Sequence, residues 1–364
     1  MDVTVACPNC AKPVAEADRY CAACGGDLRI RRGGTADSLT PTGSVAEPCP
    51  RCGEPAPTGL CAHCGLRGGD GTDRVETDLG EIGGVSDRGL VHARNEDAMA
   101  LGLRLPAEGP PVEGAPAEAA AVLCDGVSTV RTPELAAQAA VEAGLTVLLG
   151  EDGGPPGDGS AAASRRVAAT GERLVRDAVA AAATAVAALG EVGDRDAPSC
   201  TLVCARVDHS AGAPVITIGW VGDSRAYWLA APGGAEPSEL LTTDHSWATV
   251  MIESGRLDRE SALADRRAHA ITRWLGQGGE AEPEVVSWRP EGPGVLLLCS
   301  DGLWNYLPGA AALAAALPPP ELGASPVLIA RHLTQLALDA GGRDNITVVV
   351  IPVPEVTQAP AQSR

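Results

Sequence analysis

From Leu79 onward, apolar residues recur in two rhythms. The runs LGEIGGVS, AAAVLCDG, CTLVCARV, PVITIGWVG, SRAYWLA, GVLLLCS and NITVVVIPV alternate with period two or run as unbroken aliphatic stretches, which predicts strands buried on one or both faces. The runs ELAAQAAVEAGLTVLL, RRVAATGERLVRDAVAAAATAVAAL and PVLIARHLTQLALDA predict helices, the last with Pro326 in its first turn. Short Gly and Pro turns between neighbouring strands predict hairpins, hence mostly antiparallel sheets with helices on their outer faces. LPAEGPPVEGAPAE and EDGGPPGDGS predict surface loops, and the residues after Pro354 a disordered tail.

The first seventy residues follow another pattern. Four Cys-x-x-Cys knuckles, CPNC, CAAC, CPRC and CAHC, supply Cys7, Cys10, Cys21 and Cys24, then Cys49, Cys52, Cys61 and Cys64. Each set of four thiolates suits a closed, tetrahedral, structural zinc site, and the echo of CPNC…CAACGG in CPRC…CAHCGL marks an internal repeat. Two structural zinc ions are expected, holding folds too small to bury a core and leaving no coordination position for catalysis. His63, inside the last knuckle, is the alternative donor to a Cys. A redox role is the sharper alternative, but it expects one such knuckle beside a βαβ pattern. The expected boundaries are a first zinc ribbon at 1–28, a linker at 29–46, a second ribbon at 47–67, a linker at 68–78, a catalytic domain at 79–353 and a tail at 354–364.

Composition narrows the partners. The formal net charge of −19 disfavours nucleic acid and anionic membrane surfaces and favours cations. Residues 1–75 carry nine acids against eight bases, so the ribbons lack the basic stripe of a nucleic-acid reader. No apolar run approaches the ~20 residues that cross a bilayer, and the N-terminus has no signal pattern. A cytoplasmic location is expected, where paired cysteines read as metal ligands rather than disulfides. Phe is absent and aromatics make up 2%, so the core is expected to be built from Ala, Val and Leu.

Against that background the acids stand out. RNED at Asp97, CDG at Asp125, GDSR at Asp223, SDG at Asp301 and RDN at Asp344 each put a carboxylate at the edge of a strand-like run. Five unpaired carboxylates would repel one another, and oxygen donors without a Cys or His cluster favour hard cations such as Mg²⁺ or Mn²⁺. Cys124 and Cys299 lie within apolar strands and read as small buried hydrophobes.

In their order, SDRGLVHARNEDA, LCDG, WVGDSRAYWL, LTTDHSW, ESGRL, ITRWLG, LCSDGLW and GGRDNITVVV resemble the metal-dependent Ser/Thr protein phosphatases of type 2C, in their bacterial form. The resemblance spans about Gly83 to Pro352 and implies an α+β fold, an α/β/β/α sandwich of two antiparallel sheets flanked by helices, with the ribbons in front. It implies that Asp125 bridges two Mn or Mg ions, with the Gly126 carbonyl as a further ligand, and that Asp301 and Asp344 hold the second ion. Asp97 would bind directly or through water with Glu96 as an outer partner, and Asp223 matches the position linked to a third ion. The implied reaction is hydrolysis of phosphoserine or phosphothreonine on proteins by a metal-activated water.

Three departures from the family pattern matter. His92 stands where an Arg usually binds the substrate phosphate, and Arg94, two residues on, is on the same face of an extended segment and is the expected substitute. DGVST replaces a glycine-rich stretch that carries a His in bacterial members, and SCT replaces a common Gly-Thr-Thr. His245 is read as a hydrogen-bonded loop histidine and Asn345 as a turn former. The expected partners are phosphoproteins and a protein recognised by the ribbons, with no nucleic acid or membrane. The competing function is a catalytically weak regulator or scaffold on the same fold.

Overall fold

The computed structural model describes residues 4–7, 12–15, 19–25, 27–34, 73–105, 118–150, 160–191, 193–234, 236–319 and 323–354. Near the N-terminus, β1 (Thr4–Ala6) and β2 (Pro13–Ala15) form a two-stranded antiparallel hairpin. The remaining strands form two antiparallel sheets. One contains β4 (Arg74–Asp78), β5 (Gly83–Asp87), β10 (Arg225–Ala230), β11 (Glu239–Leu240), β13 (Gly294–Cys299) and β14 (Ile346–Val353), in the order β11-β10-β13-β14-β5-β4. The other contains β3 (Ile30–Gly34), β6 (Ala98–Arg104), β7 (Glu118–Cys124), β8 (Leu202–Asp208), β9 (Val215–Val221) and β12 (Glu284–Trp288), in the order β12-β9-β8-β7-β6-β3.

The period-two rule explains how one aliphatic run serves two layers. In β13, Leu296 and Leu298 face the core between the sheets, with Met99, Leu101 and Leu123 of the other sheet, whereas Leu297 and Cys299 face outward under the helices. Both faces are covered, so the run is unbroken. Helices α1 (Pro133–Leu148) and α2 (Ala161–Ala187) cover β6, β7 and β8, packing Ala136, Ala140, Ala178 and Ala182 against Ala120 and Val122. Helix α7 (Pro326–Asp339) covers the other sheet with the short α5 (Asp301–Trp304) and α6 (Ala310–Ala316). The expected α/β/β/α sandwich and an Ala, Val and Leu core without Phe are what is found. Two short helices, α3 (Trp247–Glu253) and α4 (Arg259–Ala264), pack on each other.

Two linker expectations are corrected. Ile30–Gly34, placed in the linker 29–46, pairs with β6 from Ile30 opposite Arg104 to Gly34 opposite Ala100. Arg74–Asp78, placed in the linker 68–78, pairs with β5. Both are edge strands, where backbone pairing needs little apolar content, so neither shows a strand-like pattern in sequence. Glu118, assigned to a surface loop, opens β7 and is buried. Residues 106–117 of that insert, the stretch 151–159, the second ribbon and the tail after Pro354 lie outside the described residues. Among the described residues, no helix is long and apolar enough to cross a membrane.

Candidate metal centre

Antiparallel pairing sets the acids side by side. Ala98, the first residue of β6, pairs with Cys124, the last of β7, so Asp97 and Asp125 leave the sheet at one end. In the facing sheet, Cys299 pairs with Val348, which brings Asp301 beside the start of β14 with Asp344 and Asn345. Gly302 follows Asp301 because a Cβ there would collide with the Asn345 backbone, its carbonyl carbon 2.8 Å away. That contact explains the Asp-Gly pair at this strand end.

Asp97 is the anchor between the sheets. Its Oδ2 accepts hydrogen bonds from Ser300 Oγ and Thr347 Oγ1, each 2.8 Å long. Asn95 Nδ2 donates to Ser86 Oγ at 2.8 Å, and Ser86 Oγ lies 2.8 Å from Thr347 Oγ1. A hydroxyl has one proton, and Thr347 spends its own on Asp97, so Ser86 donates to Thr347. Asp97 Oδ1 is buried without a partner. Burial pushes the Asp97 carboxyl up to about 7, with the Asp301 and Asp344 charges adding to it and the two hydroxyl bonds opposing.

The neighbouring acids share this strain. Burial and the surrounding carboxylates, Asp97 first among them, hold Asp125 well above the usual carboxylate range. Asp301 is raised to about 7 by burial and by Asp344, against hydrogen bonds from Asn305 and Asp125. Asp223 is raised well above its ordinary value by burial, then by Asp301 and Asp244. An orphaned buried carboxylate oxygen within an oxygen-only cluster of acids fits hard divalent cations. The charge that such ions supply is what the cluster lacks.

The other expected residues fall as follows. Glu96 donates its backbone N–H to Asn345 Oδ1 at 2.8 Å, and its carboxylate accepts from Ser128 Oγ at 2.7 Å, which gives the divergent DGVST segment a contact. Asn345 Nδ2 donates to the Arg88 and Arg94 carbonyls at 2.8 and 3.0 Å, so it clamps the loop before Asp97 onto β14. Gly126 is buried and bridges to Cys200. His92 Nε2 lies 3.2 Å from Asp344 Oδ1. Arg94, the expected phosphate ligand, instead pairs with Glu134 in the first turn of α1 at 2.5 Å, on an exposed side chain. A carboxylate one helix away competes for its guanidinium, so the structure brings His92, not Arg94, to the acids.

Sequence reasoning missed the hydroxyls Ser86, Ser300 and Thr347, and the part that Trp304 and Glu284 play around the Asp223 loop, while His245 is the hydrogen-bonded loop histidine expected. Gly222 N–H donates to His245 Nδ1 at 3.1 Å and accepts from His245 N–H through its carbonyl at 2.9 Å, while His245 Nε2 meets Glu284 at 3.1 Å. Burial lowers the His245 pKa against the pull of Glu284, so its place is that of a neutral loop clamp. Trp304 Nε1 donates to the Asp223 carbonyl at 3.0 Å, and Arg225 lies 3.7 Å over the Trp304 ring while forking onto Asp244. Cys124 and Cys299 are buried with pKa values raised by desolvation, so neither is a thiolate nucleophile. Beside the acids, a cleft of about 450 Å³ is lined by Gly302, Asn305, Tyr306, Ala340, Arg343 and Asp344.

At the N-terminus, Cys7, Cys21 and Cys24 hold their sulfurs within 4.8 Å of one another, a spacing that fits a tetrahedral zinc thiolate site. Cys10, Cys49, Cys52, Cys61 and Cys64, with His63, lie outside the described residues.

Residues 7–65 match the Double zinc ribbon family. The chain is 32% identical over 270 residues to the serine/threonine protein phosphatase PstP of Mycobacterium tuberculosis (strain ATCC 25618 / H37Rv), covering 74% of this chain and 44% of that protein. It is 32% identical over 138 residues to protein phosphatase PhpP of Streptococcus pneumoniae, covering 37% of this chain and 52% of that protein. The chain thus spans about half the length of the curated relatives it matches. The crystal structure of the M. tuberculosis phosphatase PstP/Ppp superposes with a TM-score of 0.54 at 26% identity, over 75% of this chain and 98% of that one. The catalytic domain of PstP in complex with two manganese ions superposes with a TM-score of 0.51 at 29% identity, over 75% and 98%.

Proposed function

From the premise that this chain belongs to the PPM family of metal-dependent serine/threonine protein phosphatases, we propose that it hydrolyses phosphoserine and phosphothreonine on proteins. The observation that carries this reading is the orphaned, buried Asp97 Oδ1 among carboxylates that desolvation holds above their normal pKa. Such a cluster is an expensive arrangement unless cations neutralise it. Asp125, the Gly126 carbonyl, Asp301 and Asp344, with Asp97, are the residues we assign to two Mn or Mg ions, and Asp223 to a third. When bound, these cations screen the phosphoryl oxygens and acidify a water for in-line attack.

The chain's own residues supply position. Ser300 and Thr347 hold Asp97 by one oxygen and leave the other free. His92, resting on Asp344, is our candidate donor to the substrate phosphate, and Arg94 a flanking cation. The cleft lined by Asn305, Tyr306 and Arg343 is our candidate seat for the phosphorylated peptide. The eight ribbon cysteines are assigned to two structural zinc ions, with a protein partner for the ribbons and the cytoplasm as location. A scaffold that has lost turnover has no need for the full set of acids, and here all five Asp remain.

The test is phosphate release by the purified chain from a phosphothreonine peptide. Turnover is expected with added Mn²⁺ or Mg²⁺ and is lost when these are removed. Release that is unaffected by removal of divalent cations, or none with either ion, overturns the reading.

A further inference from the structure

The first ribbon runs into the phosphatase sheet with no slack. Leu28 packs in the small ribbon core with Cys7, Val14 and Cys21, and Ile30, two residues later, begins β3. Leu28 N–H also donates to the Arg19 carbonyl at 2.9 Å, and Leu105 N–H to the Arg29 carbonyl at 2.9 Å, so the ribbon and the end of β6 are tied through adjacent residues. Beyond the junction, Ile30 packs against the core under α1 and α2.

Two features fix how β3 sits. At its far end, a Cβ on Gly34 would collide with the Met99 carbonyl and lie 2.9 Å from Ala100 Cα, so only glycine lets the two backbones approach this closely. At its near end, a buried line of alternating charge starts in the ribbon. Asp27 Oδ2 faces Arg104 Nη1 at 4.0 Å, Arg104 meets Glu118 at 3.1 Å, Glu118 meets Arg206 at 2.7 Å, and Arg206 meets Asp208 at 2.9 Å. Arg104 also donates to the Leu149 carbonyl, and Arg206 Nη1 to Leu148 at 2.9 Å. Buried charges need all their partners, so the ribbon residue Asp27 contributes to balancing the interior of the sheet.

The strand that β3 covers is the one that delivers Asp97. Asp97 immediately precedes β6, and Gly34 pairs with Ala100 three residues further on. Without β3, β6 becomes a sheet edge with unpaired backbone groups. We propose that the first zinc knuckle is a positioning element of the phosphatase centre. Zinc held by Cys7, Cys21 and Cys24 orders the ribbon, the ribbon seats Ile30–Gly34 on β6, and the seated strand steadies Asp97. Loss of zinc, or oxidation of its thiolates, then weakens cation binding at a centre that shares no ligand with the knuckle. This inference rests on the phosphatase reading for its consequence, and on the strand pairing alone for its structural half.

The experiment compares the full chain with Cys21→Ser and Gly34→Ala, following backbone hydrogen exchange and manganese-activated hydrolysis of a small aryl phosphate. Cys21→Ser loosens the knuckle, whereas Gly34→Ala leaves every thiolate in place and obstructs only the seating. Both are expected to speed exchange across Ala98–Arg104 by ~10-fold or more and to raise the manganese concentration needed for half-maximal rate, with Gly34→Ala keeping wild-type zinc content. Exchange in β6 unchanged in both variants overturns the proposal, as does faster exchange with an unchanged manganese requirement. If the wild-type chain hydrolyses no phosphoester, the phosphatase reading fails, and the exchange data alone then decide whether the ribbon seats β6.

Discussion

Replacing Asp97 by Asn separates the electrostatic cost of the acidic cluster from its use. In the folded protein the Asp97 carboxyl is raised from 3.8 to about 7, mainly by burial. Between those values the folded state keeps a proton that the unfolded chain has released, so this carboxyl's contribution to the stability of the cation-free protein is full at low pH and is lost as pH rises through about 7. The difference corresponds to ~4 kcal/mol once the group is ionised at pH 8. Asn keeps an acceptor for Ser300 and Thr347, but its amide nitrogen takes the place of the partnerless oxygen, at a cost of ~1–3 kcal/mol. Cation-free Asp97→Asn is therefore expected to be more stable than wild type by ~1–3 kcal/mol at pH 8 and to lose that advantage at pH 5. Urea unfolding followed by tryptophan fluorescence, in buffers free of Mg²⁺ and Mn²⁺ that leave zinc in place, measures this directly. Adding Mn²⁺ should stabilise wild type far more than the variant. A variant less stable at pH 8, or a difference that does not change between pH 5 and pH 8, refutes the argument.

Asp125→Asn and Asp301→Asn are each expected to reduce kcat/KM by ~100-fold or more while leaving the circular dichroism spectrum intact, because each removes a ligand charge at a strand end. Near-normal rates in either would remove it from the assigned centre. His92→Ala should impair hydrolysis of both a phosphopeptide and an aryl phosphate, whereas Arg94→Ala, whose guanidinium is held by Glu134, should change both by less than ~3-fold; the reverse order in steady-state kinetics would reinstate Arg94 as the phosphate ligand. Metal analysis of the full chain should find ~2 zinc ions, one per Cys₄ set, and a single ion would mean that one ribbon is built differently.

The layers of the fold were legible where burial leaves a periodic trace. VLLLC at β13 and ITVVVIPV at β14 lie between helices and a second sheet, and such strands have nowhere to place polar residues. The short spans AMALGLR and IRRGG gave no such trace. The first is buried on both faces, with small Ala98, Ala100 and Gly102 alternating with Met99, Leu101 and Leu103 and no polar contrast until Arg104, and the second is an edge strand that offers little beyond its backbone. Glu118 was hidden by its Pro-rich neighbours, since its counter-charges Arg104 and Arg206 come from strands brought together only by register. At the centre, the acids were visible because Asp after an apolar run is conspicuous. Ser86 and Thr347 are ordinary strand residues and Ser300 stands at the N-cap of a short helix just past a strand, and nothing short of the three-dimensional register shows that they converge on Asp97. At Arg94, two-residue spacing predicts a shared face but not that the guanidinium pairs with Glu134.

The directed line of hydroxyls also fixes what happens to protons when the centre is loaded. Asn95 donates to Ser86, Ser86 to Thr347 and Thr347 to Asp97 Oδ2, and Ser300 donates to the same oxygen, so Oδ2 already accepts two hydrogen bonds. A proton taken up by Asp97 itself must therefore sit on Oδ1, the oxygen left without a partner. Cation and proton compete for one atom, and exchanging them disturbs none of the four hydrogen bonds behind it. The scaffold thus behaves as an ion exchanger with a rigid backing. Filling it near neutral pH should acidify an unbuffered solution without reshaping the protein, and acidification should empty it just as quietly.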